Sequence, residues 1–391
     1  MITLFIIYLG AACGLWCIFY VLAARSLRAI RPLPILQQPD PAQHASFPAL
    51  SLIIAARNEA HTLPAALETL IQQSYSNLEI LLINDRSTDN TGEIIDSFAQ
   101  RDERIRCIHI KKLPDEWLGK PHALHVASQQ ARGEWLLFSD ADVHHSVNLW
   151  YSAIQHAEQY QLDHLALLPT VTSRGMLIQA TIKAFSMLFL ASARTDKIRD
   201  PNSPASIGIG AFNLVRRNTF LNTDGFEWLR MEVADDYGLG LMIKRAGGNC
   251  DLATANQDLH VEWYESVGAM ARGLEKNIMA PGTHFKTGKL ILNPIMLTGV
   301  VLAPFISLLL WPSWLTGFGV ITLLFCAAVA QLIAVGFDEQ KRDWLLSPFG
   351  FLIIAWIFSR ACILCLWRDG IVWRDTHYPR RLLQMYQRVK L

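Results

Sequence analysis

The chain has 391 residues, enough for one large domain with additional elements. Hydrophobic residues make up 51% and charged residues 18%, with a net charge of +1, so nothing points to nucleic acid or to a polyanionic partner. The composition is apolar for a soluble enzyme, and the excess sits at the two ends. Cys13, Cys17, Cys326, Cys362 and Cys365 lie in those apolar ends, and only Cys107 and Cys250 fall in the polar middle. No disulfide framework is expected from such a distribution, and the middle suits a reducing compartment. Cys362 and Cys365 spell C-x-x-C, but without the flanks of a redox or metal motif.

Ile2 to Ala24 is an uncharged run of 23 residues. As a helix it would span about 34 Å, enough for a bilayer. No basic residue precedes it and no convincing small-x-small cleavage site follows, so it reads as an anchor (residues 1–24) rather than a removed signal peptide. Arg25, Arg28 and Arg31 come next, and the positive-inside rule puts the following domain on the cytoplasmic side. Residues 25–48 form a basic linker with five prolines between 32 and 48.

Residues 49–289 read as a globular domain. Buried strands are expected at 50–55, 78–83, 105–110 and 135–139, and helices at 63–73, 91–100 and 122–131. Asn90 with Glu93 resembles a capping box opening the second helix. Strands alternating with helices predict an α/β fold, a mostly parallel sheet with helices on both faces. Ligands of such sheets sit outside the carboxyl ends of the strands. Met176 to Arg194 is apolar with one interior charge, Lys183, and suits either an interfacial helix or a core helix. Residues 290–367 read as two to three membrane segments, broken by Trp311-Pro312-Ser313-Trp314 and by the charged stretch 338–343. The third run carries Pro348 and Arg360. Residues 368–391 form a basic tail. One N-terminal span plus three C-terminal spans would put that tail outside, against the positive-inside rule.

The polar groups that could carry chemistry follow strands. Ala55-Ala56-Arg57-Asn58-Glu59 can wrap a nucleotide, or be a plain strand-to-helix loop. Asp85 ends the second strand, where a carboxylate can meet an imide N–H or a ribose hydroxyl. Asp89 reads as loop structure or a helix cap. Gly119-Lys120 opens a helix whose N-terminal amides and lysine could meet a diphosphate. Asp140-Ala141-Asp142 follows an apolar strand. Two carboxylates there can hold Mg²⁺ with phosphate oxygens completing the shell, although the pattern also occurs in ordinary turns. Asp235-Asp236 leads into a helix, and one of the two could take the proton of an acceptor alcohol. His260 could reach the metal, and Arg272 could contact phosphate. Both could equally be structural or solvated.

Taken in order, Ala-Ala-Arg-Asn-Glu at 55–59, Asn-Asp-Arg-Ser-Thr-Asp at 84–89, Gly-Lys at 119–120, Asp-Ala-Asp at 140–142 and Asp-Asp at 235–236 resemble the motifs of family 2 glycosyltransferases with the GT-A fold. The layout of anchor, domain and C-terminal spans is similar to the membrane-bound lipid glycosyltransferases, ceramide glucosyltransferases and hopanoid- or carotenoid-associated bacterial enzymes among them. The stretch Gly370 to Tyr378 is similar to a tail seen in that group. The resemblance implies an inverting transfer of one sugar from a nucleotide sugar, a UDP-sugar by analogy, to a membrane lipid. It implies that Ala55, Arg57, Glu59, Asp85, Lys120 and Asp140 meet the nucleotide sugar. Asp142, with Asp140 and His260, would hold Mg²⁺ or Mn²⁺, and Asp236, beside Asp235, would be the base. The setting implied is an integral protein of a bacterial inner membrane. Three departures stand out: Ala55 replaces a usual proline, Arg86 a usual glycine, and the Gln/Arg-x-x-Arg-Trp motif of processive members is missing, with Arg272-Gly273 its nearest match. The last departure argues against a processive polysaccharide synthase. Retention of the aspartates argues against an inactive transferase-like scaffold.

Overall fold

A central sheet fed by alternating strands and helices organises the middle of the chain, in a computed structural model that describes residues 2–36, 47–310, 313–336, 342–374 and 376–389. Helix α1 (Ile2–Ala29) leads to the short strand β1 (Arg31–Pro32). There follow β2 (Leu50–Ala56), α2 (Leu63–Ile71), β3 (Leu78–Asp85), α3 (Thr91–Arg101), β4 (Ile105–Ile110), α4 (Gly119–Ser128) and β5 (Trp135–Ser139). The second half holds β6 (Val143–His145), α5 (Leu149–Gln159), β7 (His164–Thr172), α6 (Met176–Ala193), β8 (Asn213–Arg216), α7 (Arg217–Leu221), α8 (Gly225–Trp228), α9 (Asp235–Arg245) and β9 (Cys250–Glu262). Helices α10 (Val267–Gly273) and α11 (Glu275–Thr283) lead into the long apolar helices α12 (Thr287–Leu308), α13 (Trp314–Gly336) and α14 (Ser347–Arg368). A hairpin of β10 (Gly370–Trp373) and β11 (Thr376–Pro379) and the helix α15 (Arg380–Tyr386) close the described chain.

The sheet runs β1-β9-β7-β8-β5-β2-β3-β4, with β6 beside β9. Strands β4, β3, β2 and β5 are mutually parallel, with Leu50 opposite both Leu78 and Trp135. Strand β8 runs antiparallel between β5 and β7. Strand β2 is buried along almost its whole length, as expected for a parallel strand covered on both faces. Successive side chains point to opposite faces. Leu52 and Ile54 join the core under α2 and α5, with Trp150 and Leu67. Ile53 joins a second core that continues into the apolar helices through Ile182, Tyr20, Val329 and Phe351. Each such fully buried aliphatic side chain contributes about 1.5–3 kcal/mol. One face of the sheet therefore carries the globular core, and the other is welded to the long helices.

Several local expectations shift. Helix α4 starts at Gly119 rather than His122, and Pro121 is accommodated because the first turn has no N–H to lose. No capping box forms at Asn90; Asp89 takes the Thr91 N–H at 3.0 Å instead. Helix α1 runs on through Arg25 and Arg28 to Ala29. Among the described residues, five helices, including that formed from Met176 onward, are long and apolar enough to cross a membrane. Arg360 is accommodated in α14 by an ion pair to Glu275 at 2.9 Å, and Pro348 by its place in the first turn. Linker residues 37–46, Trp311-Pro312 and residues 338–341 lie outside the described residues.

Candidate active site

The loops after β2, β3 and β5 and the start of α9 meet above the carboxyl edge of the sheet. The first two are laced together. Asn58 N–H donates to Ser87 Oγ at 3.1 Å and Glu59 N–H to Thr91 Oγ1 at 2.9 Å. Asp89 accepts the Ala60 N–H at 3.1 Å, and the Asn58 side chain accepts the Thr88 N–H at 2.8 Å. Asp89 is thus a loop-holding residue. Ala55 lies within β2 opposite Ile83, its methyl group against the core and not in the loop. Arg57 Nε is buried without a hydrogen-bond partner among the described residues, as is His122 Nδ1. A buried donor left unpaired is costly, so these atoms point to a site that a ligand completes.

Asp85 is buried, and its carboxylate accepts two N–H bonds from Arg86 at 2.7 and 2.9 Å. Arg86 has φ +55°, the left-handed conformation that favours glycine. Arginine at this place closes back on its own neighbour. Gly119 packs against this pair so closely that a Cβ there would lie 2.5 Å from Asp85 Oδ2.

The acids after β5 and before α9 are joined through Lys120 and the loop 208–211. Lys120 Nζ lies 2.6 Å from Asp140 Oδ1 and 3.4 Å from Asp235 Oδ2. Burial alone would push its ammonium down, but Asp140, Asp235 and Asp236 hold it above its ordinary value. Lys120 is therefore a strut between the two acidic motifs. Gly210 bridges the same motifs by its backbone: its C=O accepts the Asp140 N–H at 2.9 Å, and its N–H donates to Asp236 Oδ2 at 3.0 Å. Asp236 Oδ1 accepts the Tyr237 N–H at 2.8 Å. Burial, then the charge of Asp235, pushes the Asp236 carboxyl up to about 6. Asp235 is buried and turned to Lys120, whereas Asp236 lines a large cavity. Gly208 and Gly210 escaped the reading of the sequence; their only signal was a Gly-x-Gly in an otherwise apolar stretch.

Asp142 lines the same cavity, and burial followed by the charges of Asp140 and Glu59 raises its carboxyl to about 6. Carboxylates that repel one another in this way suit a divalent cation. Among the described residues no group of three or more acidic, histidine or cysteine side chains forms a ready cage. Two carboxylates are nonetheless the usual protein share of an Mg²⁺ or Mn²⁺ site finished by phosphate oxygens. Asp140 and Asp142 fit that share. His260 lies on β9 beside His144, with Nε2 3.2 Å from Thr172 Oγ1. Arg272 is exposed on α10.

The cavity, about 610 Å³, runs from Asp140, Asp142 and Asp236 along α6 to Leu297 of α12, Ile333 of α13, and Ile354 and Phe358 of α14. Most of its wall is aliphatic or aromatic.

Residues 51–223 match the family described as Glycosyl transferase family 2. The uncharacterized glycosyltransferase EpsJ of Bacillus subtilis (strain 168) is 34% identical over 117 residues, 30% of this chain and 33% of that one. The 4,4'-diaponeurosporenoate glycosyltransferase of Staphylococcus haemolyticus (strain JCSC1435) is 22% identical over 197 residues, 50% of this chain and 52% of that one. The chain thus spans between a third and about half of the length of these relatives. Among solved structures, the mannosyltransferase PcManGT from Pyrobaculum calidifontis, in complex with GDP-Man and Mn²⁺, is similar with a TM-score of 0.53. The likeness covers 92% of this chain and 98% of that one at 18% identity, and it shows a shared fold.

Proposed function

We propose that the chain, whose residues 51–223 match the family described as Glycosyl transferase family 2, transfers one sugar from a nucleotide sugar to a membrane lipid, with inversion at the anomeric carbon. A UDP-sugar is the donor inferred from the motif pattern. The observation that carries the lipid reading is the apolar cavity joining Asp142 and Asp236 to α12, α13 and α14. A water-soluble acceptor gains nothing from such a wall, whereas burying hydrocarbon is favourable by about 25 cal/mol per Å². The acceptor presents its hydroxyl at Asp236 with its apolar body among the long helices.

Asp236 takes the proton of that hydroxyl. The freed oxygen attacks the anomeric carbon, and the bond to the diphosphate breaks with its electron pair on the leaving oxygen. Gly210 and Tyr237 fix the two carboxylate oxygens during the transfer. Asp142, with Asp140, would hold Mg²⁺ or Mn²⁺, whose charge neutralises the leaving diphosphate. Arg57, Glu59 and Asp85 line the nucleotide side, and Lys120 acts by holding Asp140 and Asp235. The basic residues Arg25, Arg28 and Arg31, at and just past the end of the first helix, favour a cytoplasmic setting for the domain.

Purified protein incubated with a panel of labelled nucleotide sugars, Mg²⁺ or Mn²⁺ and a total lipid extract tests the reading. Label in a solvent-extractable glycolipid is expected. Long polymer would instead support a processive synthase, and lack of any nucleotide-sugar binding by calorimetry would support an inactive scaffold.

A further inference from the structure

The C-terminal hairpin does not trail away from the domain. Arg374, in the turn between β10 and β11, forms an ion pair with Glu59 in the loop after β2. Tyr378 on β11 is buried, receives the Gly119 N–H and lies within charge range of Arg86 and Arg57. The ring of Trp373 on β10 carries Lys276 Nζ at 3.5 Å from its centroid. Further on, Glu232 accepts the N–H groups of Arg388 and Val389 at 2.6 and 3.0 Å. The segment after α14 therefore packs against the loop after β2, through Arg374 and Glu59, and against Glu232 just before α9.

The cations near the hairpin differ in their partners. Lys120 is already engaged by Asp140 and Asp235. Arg360 and Arg368 are both taken up by Glu275, at 2.9 and 2.8 Å. Lys276, one residue after Glu275, makes no ion pair among the described residues and rests on an aromatic face instead. A cation held on a ring is positioned without being neutralised. Burial, with the charge of Lys120 adding to it, holds the ammonium down at about 8 against the pull of Asp235, Asp140 and Asp236. Arg374 has Glu59 as its partner, and Glu59 is close enough to Asp142 to act on that carboxyl. Lys276 thus lies within electrostatic reach of Asp235, Asp140 and Asp236, and Arg374 is fixed beside Glu59.

We propose that the β10–β11 hairpin is a wall of the donor site, in which Lys276, held by the ring of Trp373, and Arg374, held by Glu59, bind the diphosphate of a nucleoside-diphosphate donor. The inference rests on the glycosyl-transfer reading for the identity of the donor. It adds residues that lie outside the 51–223 family match. Arginine supplies a planar fork for two phosphate oxygens, and lysine a point charge. The ring of Trp373 is a positioning group and touches Lys276, not the ligand.

The test is calorimetry on the full-length protein in detergent with Mg²⁺ or Mn²⁺, comparing UDP and GDP with UMP and GMP. Wild type is expected to bind at least one diphosphate more tightly than its monophosphate. Lys276→Ala and Arg374→Ala should each weaken the diphosphate by about ten- to a hundredfold and leave the monophosphate unchanged. Lys276→Arg should retain most of the diphosphate affinity, and Trp373→Leu should weaken it in the same selective way. Loss of mono- and diphosphate affinity in parallel, or no loss in either alanine variant, overturns the assignment of the hairpin. Failure of wild type to bind any of the four nucleotides overturns the glycosyl-transfer reading first. Equal thermal midpoints of Lys276→Arg and wild type separate a binding role from a folding role.

Discussion

At the residue scale, Asp236 combines three features that define a usable base: a cavity-facing carboxylate, two backbone N–H groups that fix it, and an elevated proton affinity. Asp236→Asn removes the base while nearly conserving shape. Transfer should fall by about 10²–10⁴-fold, with nucleotide binding retained in calorimetry. The pH profile follows from the same group. As the proposed base, Asp236 would act in its deprotonated form, and its carboxyl is raised to about 6 by burial and by Asp235. Turnover should therefore be level above that value and drop below it, and in Asp236→Asn the drop should become shallower, leaving the part due to Asp142, whose carboxyl is also raised to about 6. Gly210 is the less obvious residue. A Cβ there would overlap Asp140 Oδ2 and lie 3.4 Å from Asp236 Oδ2, so Gly210→Ala must displace an acid. A cost of about a hundredfold in turnover is expected, with the protein still folded by circular dichroism. The aspartates were legible in the sequence because each ends a strand or opens a helix in a fixed order. Gly210 was not, because its contacts join segments about 70 and 26 residues away, and no local pattern records them.

At the element scale, the strands after residue 50 were legible because each is a short apolar run bounded by polar turns. The long helices were legible from run length alone. The place of α6 was not. A helix that is apolar nearly all round serves equally in a core or in a bilayer. Here it packs on α14 and α1 and forms one side of the cavity. That shared wall can be tested on α12. Leu297 faces the cavity, and Leu297→Trp would fill part of it without touching the acids. Transfer to long-chain lipid acceptors should drop at least tenfold in a thin-layer assay, while transfer to a short-chain analogue and nucleotide affinity should hold. Equal loss for short and long acceptors would remove the cavity from the acceptor path.

At the scale of the whole molecule, the position of the tail decides the topology. Counting apolar runs left the basic tail on the wrong side of the membrane. The contacts of Arg374 with Glu59, of Tyr386 with Arg230, and of Glu232 with the Arg388 and Val389 N–H groups hold the tail against the globular domain. Three apolar helices separate Thr287 from Gly370, and three complete crossings would put domain and tail on opposite faces. We propose that helix α14 is the segment that does not cross completely. Its start packs Phe351 4.7 Å from the ring of Trp16, in the middle of α1 rather than at either end. Its later residues Phe358, Ala361, Cys362 and Cys365 join a cluster with Leu118 and Met231 of the globular domain. A hydrophobicity count cannot see this, because a re-entrant helix and a spanning one need the same apolar surface. On that proposal α12 and α13 would be the crossing pair; Trp314, at the start of α13, packs beside Gly10 near the beginning of α1. Epitope tags after Ser313, in an exposed loop of the domain, and at the C-terminus should separate the alternatives in sealed vesicles of known orientation. The domain and C-terminal tags should be cleaved together from one face, and the tag at 313 only from the other. Cleavage of the C-terminal tag with the tag at 313 would mean that α14 crosses completely and would also separate the hairpin from the donor pocket.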